Sequence, residues 1–475
     1  MKILLFLNRI STEMKRWWPI YLYLLVYLIA FSLVVVHRFW QYETFYFNHG
    51  IFDESFWQFS RGKAPIFDHL GVSNRHQLAD HFTPTLYLLT PLYWLTNRYE
   101  PLLLVGPVAA TLTTYVIHLF TRLKTKNKLM SLAIPLAFSL FIGLQNALIS
   151  NFNPSLISLL TLALTVYSFE TKRYVQMWFW FILTLGVKET EPPVMAIFSL
   201  YLIYRKQFTR GFFGLFLCVA TYYLVTRWLI PTVFNQPYFY FAATHDSLSS
   251  AFFSLFDQTT KRQVWLVSFA TFGLLPLAAI AFLPVILIDF VIRFILSTGS
   301  ARWDLGMHYN LLLSVSLAIG AVYGLTILKK TKWYPRFETW HAMLIILVAL
   351  GLNYKLHGPI NLAFNQAFYP NTQNHQFLNN FLSHIPSDTS VMTMNNLAPH
   401  LTHTNKVYLL RENHTWLSPD IIALDLRPGQ NQNNFWPLRE NSTQSLYQQL
   451  LETHHYTHTE ISPNQHLFTK AHDFN

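Results

Sequence analysis

The sequence predicts an α-helical polytopic membrane protein of about eleven spans, followed by a small extracytoplasmic α/β C-terminal domain. Three observations predict it. Of 475 residues, 52% are hydrophobic and only 12% are charged, where a soluble domain carries about 25% charged residues. The apolar residues fall in discrete runs. The basic residues fall in short loops that lie on one side in the order of those runs.

The runs are 17–36, 101–120, 129–144, 156–169, 174–187, 193–204, 212–230, 264–281, 283–296, 309–328 and 339–352. Several are shorter than the roughly 17 to 25 residues of a full span. Those are expected to be discontinuous or tilted, with their backbone shielded by neighbours. The short apolar stretch 84–95 reads as a re-entrant or interfacial helix. Lys2, Arg9, Lys15 and Arg16 precede the first run. That run ends at His37-Arg38-Phe39-Trp40 without a small-residue cleavage site, so it reads as a span rather than a cleaved signal.

A net charge of +11 would point to nucleic acid in a soluble protein. Here the cations sit in the loops: Arg122, Lys124, Lys126 and Lys128; Lys172 and Arg173; Arg205, Lys206 and Arg210; Lys329, Lys330, Lys332 and Arg336. No basic helix face or RNA-binding motif accompanies them, so no nucleic-acid partner is expected. The positive-inside rule makes the loops and the N-terminus cytoplasmic, in a plasma membrane. An odd number of spans then leaves the C-terminus outside. Residues 1–353 are the expected multi-span domain, with a large first external loop at 38–82, and 354–475 the soluble domain. In that tail, 374–384 and 446–455 read as helices, and 390–394, 406–410, 421–426 and 466–470 as strands. The single cysteine, Cys218, lies in an apolar run. It excludes a disulfide within the chain and reads as a small hydrophobe.

Three constellations could carry chemistry. In the first loop, Asp53 and Glu54 are adjacent carboxylates between Phe52 and Phe56-Trp57. They suit a general base or a ligand to a hard divalent cation. Asp80 and His81 could complete either site if the loop folds back. The plain alternative is a solvated loop, which fits Glu54 better than Asp53, because the aromatic setting gives Asp53 a semi-apolar pocket. The second constellation is Lys188-Glu189-Thr190-Glu191 between two runs. Lys188 could hold a phosphate, with Glu189 or Glu191 as its partner; an ordinary interfacial loop is the alternative. The third runs from Arg302 to Tyr309. There Arg302 could meet an anionic headgroup and His308 could face a cavity, while Trp303 and Tyr309 read as belt aromatics. Arg227 and Asp289 fall inside predicted spans, where charges are paired or functional.

Twenty histidines invite a metal reading. However, His400 with His403, and His454, His455 and His458, lack a helical ligand spacing with a carboxylate, so no metal site is assigned. Asn413-His414-Thr415 and Asn441-Ser442-Thr443 match the glycosylation sequon, a pattern frequent by chance. No Walker A loop and no GxGxxG after a strand is present, so a donor would be lipid-linked rather than a nucleotide sugar.

Several stretches together resemble the prokaryotic membrane proteins of domain-of-unknown-function family 2079. They are Asn48 to Trp57 with Asp80-His81-Phe82-Thr83-Pro84-Thr85-Leu86-Tyr87, then Lys188-Glu189, Leu274-Leu275-Pro276-Leu277, His308-Tyr309, and Ile385-Pro386-Ser387-Asp388-Thr389-Ser390-Val391. The likeness runs over 47–468 and rests on order and spacing rather than on any single motif. That family is similar to the GT-C membrane glycosyltransferases. The similarity implies a multi-span GT-C-like bundle, a catalytic acid in the first external loop and a polyprenyl-phosphate sugar donor. Carried over, Asp53 matches the loop acid, and His81, Lys188, Glu189 and His308 match positions without an assigned role. The family pattern has an Asp where this chain has Asn48, a departure that puts the activity in question if that Asp is the base.

The expectation is therefore a GT-C-like transferase with Asp53, Glu54, Asp80 and His81 as catalytic candidates. Lys188, Glu189, Arg302 and His308 are the substrate- or phosphate-binding candidates. Membrane lipids, a polyprenyl-phosphate sugar and an unidentified acceptor are the expected partners, with a divalent cation as candidate cofactor. The rivals are a transporter or flippase, using Arg227 and Asp289, and a non-catalytic envelope protein.

Overall fold

A computed structural model describes the chain apart from residues 1, 70–71, 239–242, 244, 298, 371–372, 413 and 472–475, and gives backbone only for 2–14, 69, 72–74 and 373–374. The Asn413 sequon and the side chains of Lys2 and Arg9 lie outside the described residues. The chain divides into two compact units: Met1–Val34, Val105–Ser150 and Pro154–Asn365; and Val35–Leu104, Asn151–Asn153 and Gln366–Asn475.

The first unit is helical. Among the described residues, five helices are long and apolar enough to cross a membrane: Lys15–Trp40, which runs on into the second unit, Glu100–Lys124, which begins in it, Phe208–Val233, His308–Leu328 and Tyr334–Lys355. A sixth candidate is the pair Lys128–Leu140 and Ile142–Ile149, bent by 46°. The bend falls at Phe141, whose ψ of 119° leaves the helical region. Three shorter apolar helices follow: Ser155–Glu170, Tyr174–Leu185 and Glu191–Tyr204. The predicted runs 264–281 and 283–296 are broken pieces, with Thr259–Thr271, Leu275–Ala278 and Leu283–Phe290 separated by turns. Gly273 and Leu274 at the first break both have positive φ, 58° and 59°.

Burial sorts these helices. Glu100–Lys124 and His308–Leu328 have 72% and 78% of their apolar windows buried, while Phe208–Val233 and Tyr334–Lys355 have only 28%. The latter expose Phe212, Phe216, Leu344 and Leu347, a hydrocarbon surface that lipid covers and water does not. The interior packs through small residues. A Cβ on Gly324 would lie 1.9 Å from the Leu275 carbonyl oxygen, so only glycine lets the two helices approach this closely.

The four basic loops meet at one end of this unit. Glu170 accepts from Arg205 at 2.9 Å and pairs with Lys124. Lys329 donates to Thr125 at 2.9 Å, and Asn127 donates to Thr339 at 2.8 Å.

Among the described residues the second unit carries two sheets. Strands β1 (Ile66–His69) and β2 (Val72–His76) form an antiparallel pair in the first loop. The tail holds β3 (Ser390–Thr393), β4 (Lys406–Leu409), β5 (Ile421–Asp425), β6 (Tyr456–Ser462) and β7 (Gln465–Lys470), in sheet order β4-β3-β5-β7-β6. β3 is parallel to β4 and β5, while β7 is antiparallel to β5 and β6. All five residues of β5 are buried, as a central strand covered on both faces requires. Helices Gln373–Ser383 and Glu440–Glu452 accompany the sheet. The sequence reading lacks β6, whose residues alternate weakly and hold one of the clustered histidines, His458, and it sets the second helix several residues too late. The core of this unit joins first-loop and tail residues: Tyr42, Tyr46, Ile51 and Phe67 pack with Leu378, Phe381, Val391 and Val407.

Candidate functional site

The helix Ile51–Ser60 opens the first loop and places Asp53 and Glu54 on two different surfaces. Just before it, Asn48 takes φ 113° and ψ −77°. Among residues with a side chain, Asn and Asp best tolerate positive φ. That kink turns His49 into the interior, where it is fully buried.

Asp53 is sealed from solvent. Tyr93 donates to its Oδ1 at 2.7 Å and Thr402 to its Oδ2 at 2.8 Å. His403 Nε2 stands 2.9 Å from Oδ2, an electrostatic contact out of line for a directed hydrogen bond. The other His403 nitrogen, Nδ1, lies 3.1 Å from the Asn97 carbonyl. A carbonyl only accepts, so Nδ1 carries a proton. The ring is stacked between Trp57 and Tyr99, each with centroids 4.1 Å away. Burial pushes the Asp53 carboxyl up, but attraction to His403 and His49 and the Tyr93 bond outweigh it and hold it below its ordinary value. Asp53 is thus an ionised anchor tying the loop helix to the segment around Thr402.

Glu54 differs. Tyr46 donates to Oε2 at 2.5 Å and Gln58 to Oε1 at 3.2 Å. Burial, with the nearby charges of Asp68 and Asp53, raises its carboxyl well above the carboxylate range despite the Tyr46 bond. Glu54 lines a cavity of about 480 Å³. Arg61, Lys63 and Lys406 bring positive charge to its walls, with Asp68 and His403 beside them. Asp68 pairs with Arg411 and accepts from the Leu409 amide at 3.0 Å. Burial nonetheless lifts it to about 6. Tyr46 links the two acids, since its hydroxyl donates to Glu54 and accepts from the Asp68 amide at 3.3 Å.

Two more histidines flank Asp53. Neither ring nitrogen of His49 has a hydrogen-bond partner among the described residues. Burial lowers its pKa to about 4, against the pull of Asp53. His400 is stacked between Phe39 and Tyr42 at 4.1 and 4.0 Å, and burial lowers it to about 3. No group of three His, Cys, Asp or Glu side chains suited to a metal ion occurs among the described residues.

Asp80 is buried beside Arg75, with Oδ1 3.6 Å from the guanidinium. His81 follows as a half-buried residue in extended backbone. Neither is among the described residues lining the Glu54 cavity.

The remaining candidates belong to the first unit. Lys188, Glu189 and Glu191 are all buried. Glu191 accepts from Ser155 at 2.8 Å, Ser158 at 2.9 Å and Thr190 at 2.8 Å. Tyr238 lies among the charges of Glu189, Arg302 and Glu191, and burial first, then Glu189, pushes its phenol up. Arg302 sits 5.2 Å from the Tyr309 ring centre, and His308 packs on that ring at 4.1 Å. Asp289 is buried and paired with Arg293 at 3.3 Å, while Arg227 is exposed.

Sequence reasoning missed Tyr46, Asp68, Lys406 and Arg411. They stand up to 365 residues apart in the chain, at 46 and 411, and only pairing of the first loop with the tail brings them together. The His400 and His403 pair was visible as a spacing, but its aromatic stacking was not.

A comparison with curated proteins gave no match. Residues 38–466 match the model of a family described as a predicted membrane protein (DUF2079). That match covers most of the chain, and its apolar helices agree with a multi-pass membrane protein in contact with lipid: the chain belongs to the DUF2079 family.

Proposed function

We propose that this protein is a GT-C-like glycosyltransferase that takes its sugar from a polyprenyl phosphate on the extracytoplasmic side of the plasma membrane. In this reading the short and broken apolar helices complete a bundle of about eleven spans. The N-terminus is cytoplasmic and the C-terminus lies outside. The observation that supports it best is Glu54, a carboxyl with raised proton affinity on the wall of a cavity with basic side chains.

Glu54 serves as the general base and Asp53 as its positioning neighbour. An acceptor hydroxyl passes its proton to Glu54 as its oxygen bonds to the anomeric carbon. The bond from that carbon to the phosphate oxygen breaks, and the phosphate leaves with the electron pair. A base works best when its pKa lies near the working pH, and burial moves Glu54 in that direction. Each carboxylate oxygen has two lone pairs, so the Tyr46 and Gln58 bonds leave room for an acceptor. Lys63, Arg61 and Lys406 supply charge for the departing phosphate.

The test is transfer from a radiolabelled polyprenyl-phosphate sugar in membranes holding the full chain, with lipid and glycan analysis of a deletion strain. Loss of transfer in Glu54→Gln at unchanged membrane abundance supports the reading. Retained transfer in that variant removes Glu54 as base, and an unaltered lipid and glycan profile in the deletion strain overturns the activity.

A further inference from the structure

At the basic end of the first unit lies a second cavity, of about 280 Å³. Its cations come from three helix ends. Lys124 is in the last turn of Glu100–Lys124, Arg205 caps Glu191–Tyr204, and Lys330 follows Leu311–Leu328. Tyr201, Tyr204 and Tyr323 add three phenols.

Helix C-termini carry open carbonyls and favour cations, which accounts for a basic residue at each end. It does not account for the balance of charge. Glu170 is the one carboxylate that the cavity's cations hold among the described residues, and it takes Lys124 and Arg205 together. Three cations against one carboxylate leave two positive charges. Tyr323 donates to the same carboxylate at 2.9 Å, and Arg205 donates to the Tyr201 hydroxyl at 2.7 Å. The arginine and both buried tyrosines are therefore already oriented. Lys330 and Tyr204 are exposed at the rim, and Tyr204 retains 68% of its surface. Below them the cavity is apolar, with the buried Phe282 and Ala279. A cationic rim over an apolar floor suits a phosphodiester headgroup with its acyl chains against the helices.

We propose that this cavity binds the headgroup of an anionic phospholipid through its phosphate, with the Tyr201 and Tyr204 phenols as donors to headgroup oxygens. The loops around it are the most basic part of the unit, and basic residues at a membrane surface gain roughly 1 kcal/mol each from anionic lipid. The proposal stands independently of the transferase reading, because it uses none of the residues assigned to that reaction.

The test uses the purified full chain in detergent, with thermal unfolding and native mass spectrometry as readouts. Three probes are compared: phosphatidylglycerol, phosphatidylcholine and soluble glycerol 3-phosphate. Retention of phosphatidylglycerol and a raised Tm, with no effect of the other two, is the expected result. Lys330→Gln and Tyr204→Ala alter only exposed side chains, and Lys330→Gln is expected to weaken phosphatidylglycerol binding about fivefold. Equal stabilisation by glycerol 3-phosphate would replace the lipid with a soluble phosphate ligand and overturn the lipid assignment. Equal retention of phosphatidylcholine, or phosphatidylglycerol binding unchanged in both variants, would overturn the site.

Discussion

Asp53 and Glu54 are neighbours in sequence, yet their carboxyls titrate in opposite directions because their surroundings differ. Asp53 has its oxygens filled by Tyr93, Thr402 and His403. Removing it in Asp53→Ala leaves those groups without their acceptor, an expected loss of about 3–5 kcal/mol, read as a lowered Tm in detergent. Glu54→Gln should leave Tm nearly unchanged and lower transfer by about 10²-fold or more. In the unmodified protein, the rising limb of transfer against pH should lie above the ordinary carboxylate range, because the raised pKa delays formation of the base. His49 gives a separate pH signature. Its imidazole binds a proton at 6.5 when unfolded but only at about 4 when folded. Between those values the unfolded state holds more protons, so stability falls as pH drops through that window, by about 3 kcal/mol in all. His49→Phe keeps a ring in place and should flatten that part of the Tm profile against pH. Glu54 acts with the opposite sign: its folded pKa is raised, so its contribution is full below about 4.5 and declines as pH rises.

Helix contacts in the first unit depend on residues without side chains. At Gly324 the backbone of Leu275 occupies the space a methyl group would take. Gly324→Ala must therefore push the pieces around Leu275–Ala278 away from Leu311–Leu328, at an expected cost of about 1–3 kcal/mol, read as reduced Tm and yield. Gly50 plays a related part in the second unit, since a Cβ there would lie 2.5 Å from the Tyr46 ring. Tyr46 in turn donates to Glu54. The long apolar helices could be read from sequence because hydropathy integrates over about 20 residues. The broken ones could not be delimited, because Phe141 leaves helical geometry with no Gly or Pro at the break, and beside Gly273 it is Leu274, a poor residue for positive φ, that turns the chain. In the tail, β3, β4 and β5 fall where β-branched runs place them, whereas β6 is held by pairing with β7 and carries little hydrophobic signal of its own.

The hydrophobic core of the second unit is discontinuous in sequence. Tyr42, Tyr46, Ile51 and Phe67 from the first loop fill it together with the tail's own residues. Residues 366–475 expressed alone should therefore expose that apolar surface and aggregate or unfold non-cooperatively. Adding 35–104 in trans or by a linker should restore a cooperative transition, measured by circular dichroism and calorimetry. A tail that melts cooperatively without the loop would show that the 354–475 boundary read from the sequence marks an independent domain. Composition and hydropathy along the chain were enough to establish a multi-pass membrane protein with an α/β tail, because transfer of apolar residues out of water is a local, additive quantity. The helix Ile51–Ser60 that bears the two acids was not read from the sequence, which showed only a polar loop with adjacent carboxylates. Which acid faces a cavity, which is locked away, and which cations stand beside it depended on contacts between residues hundreds of positions apart. A carboxyl's proton affinity is set by burial and neighbouring charge, and both of those come only with the folded chain.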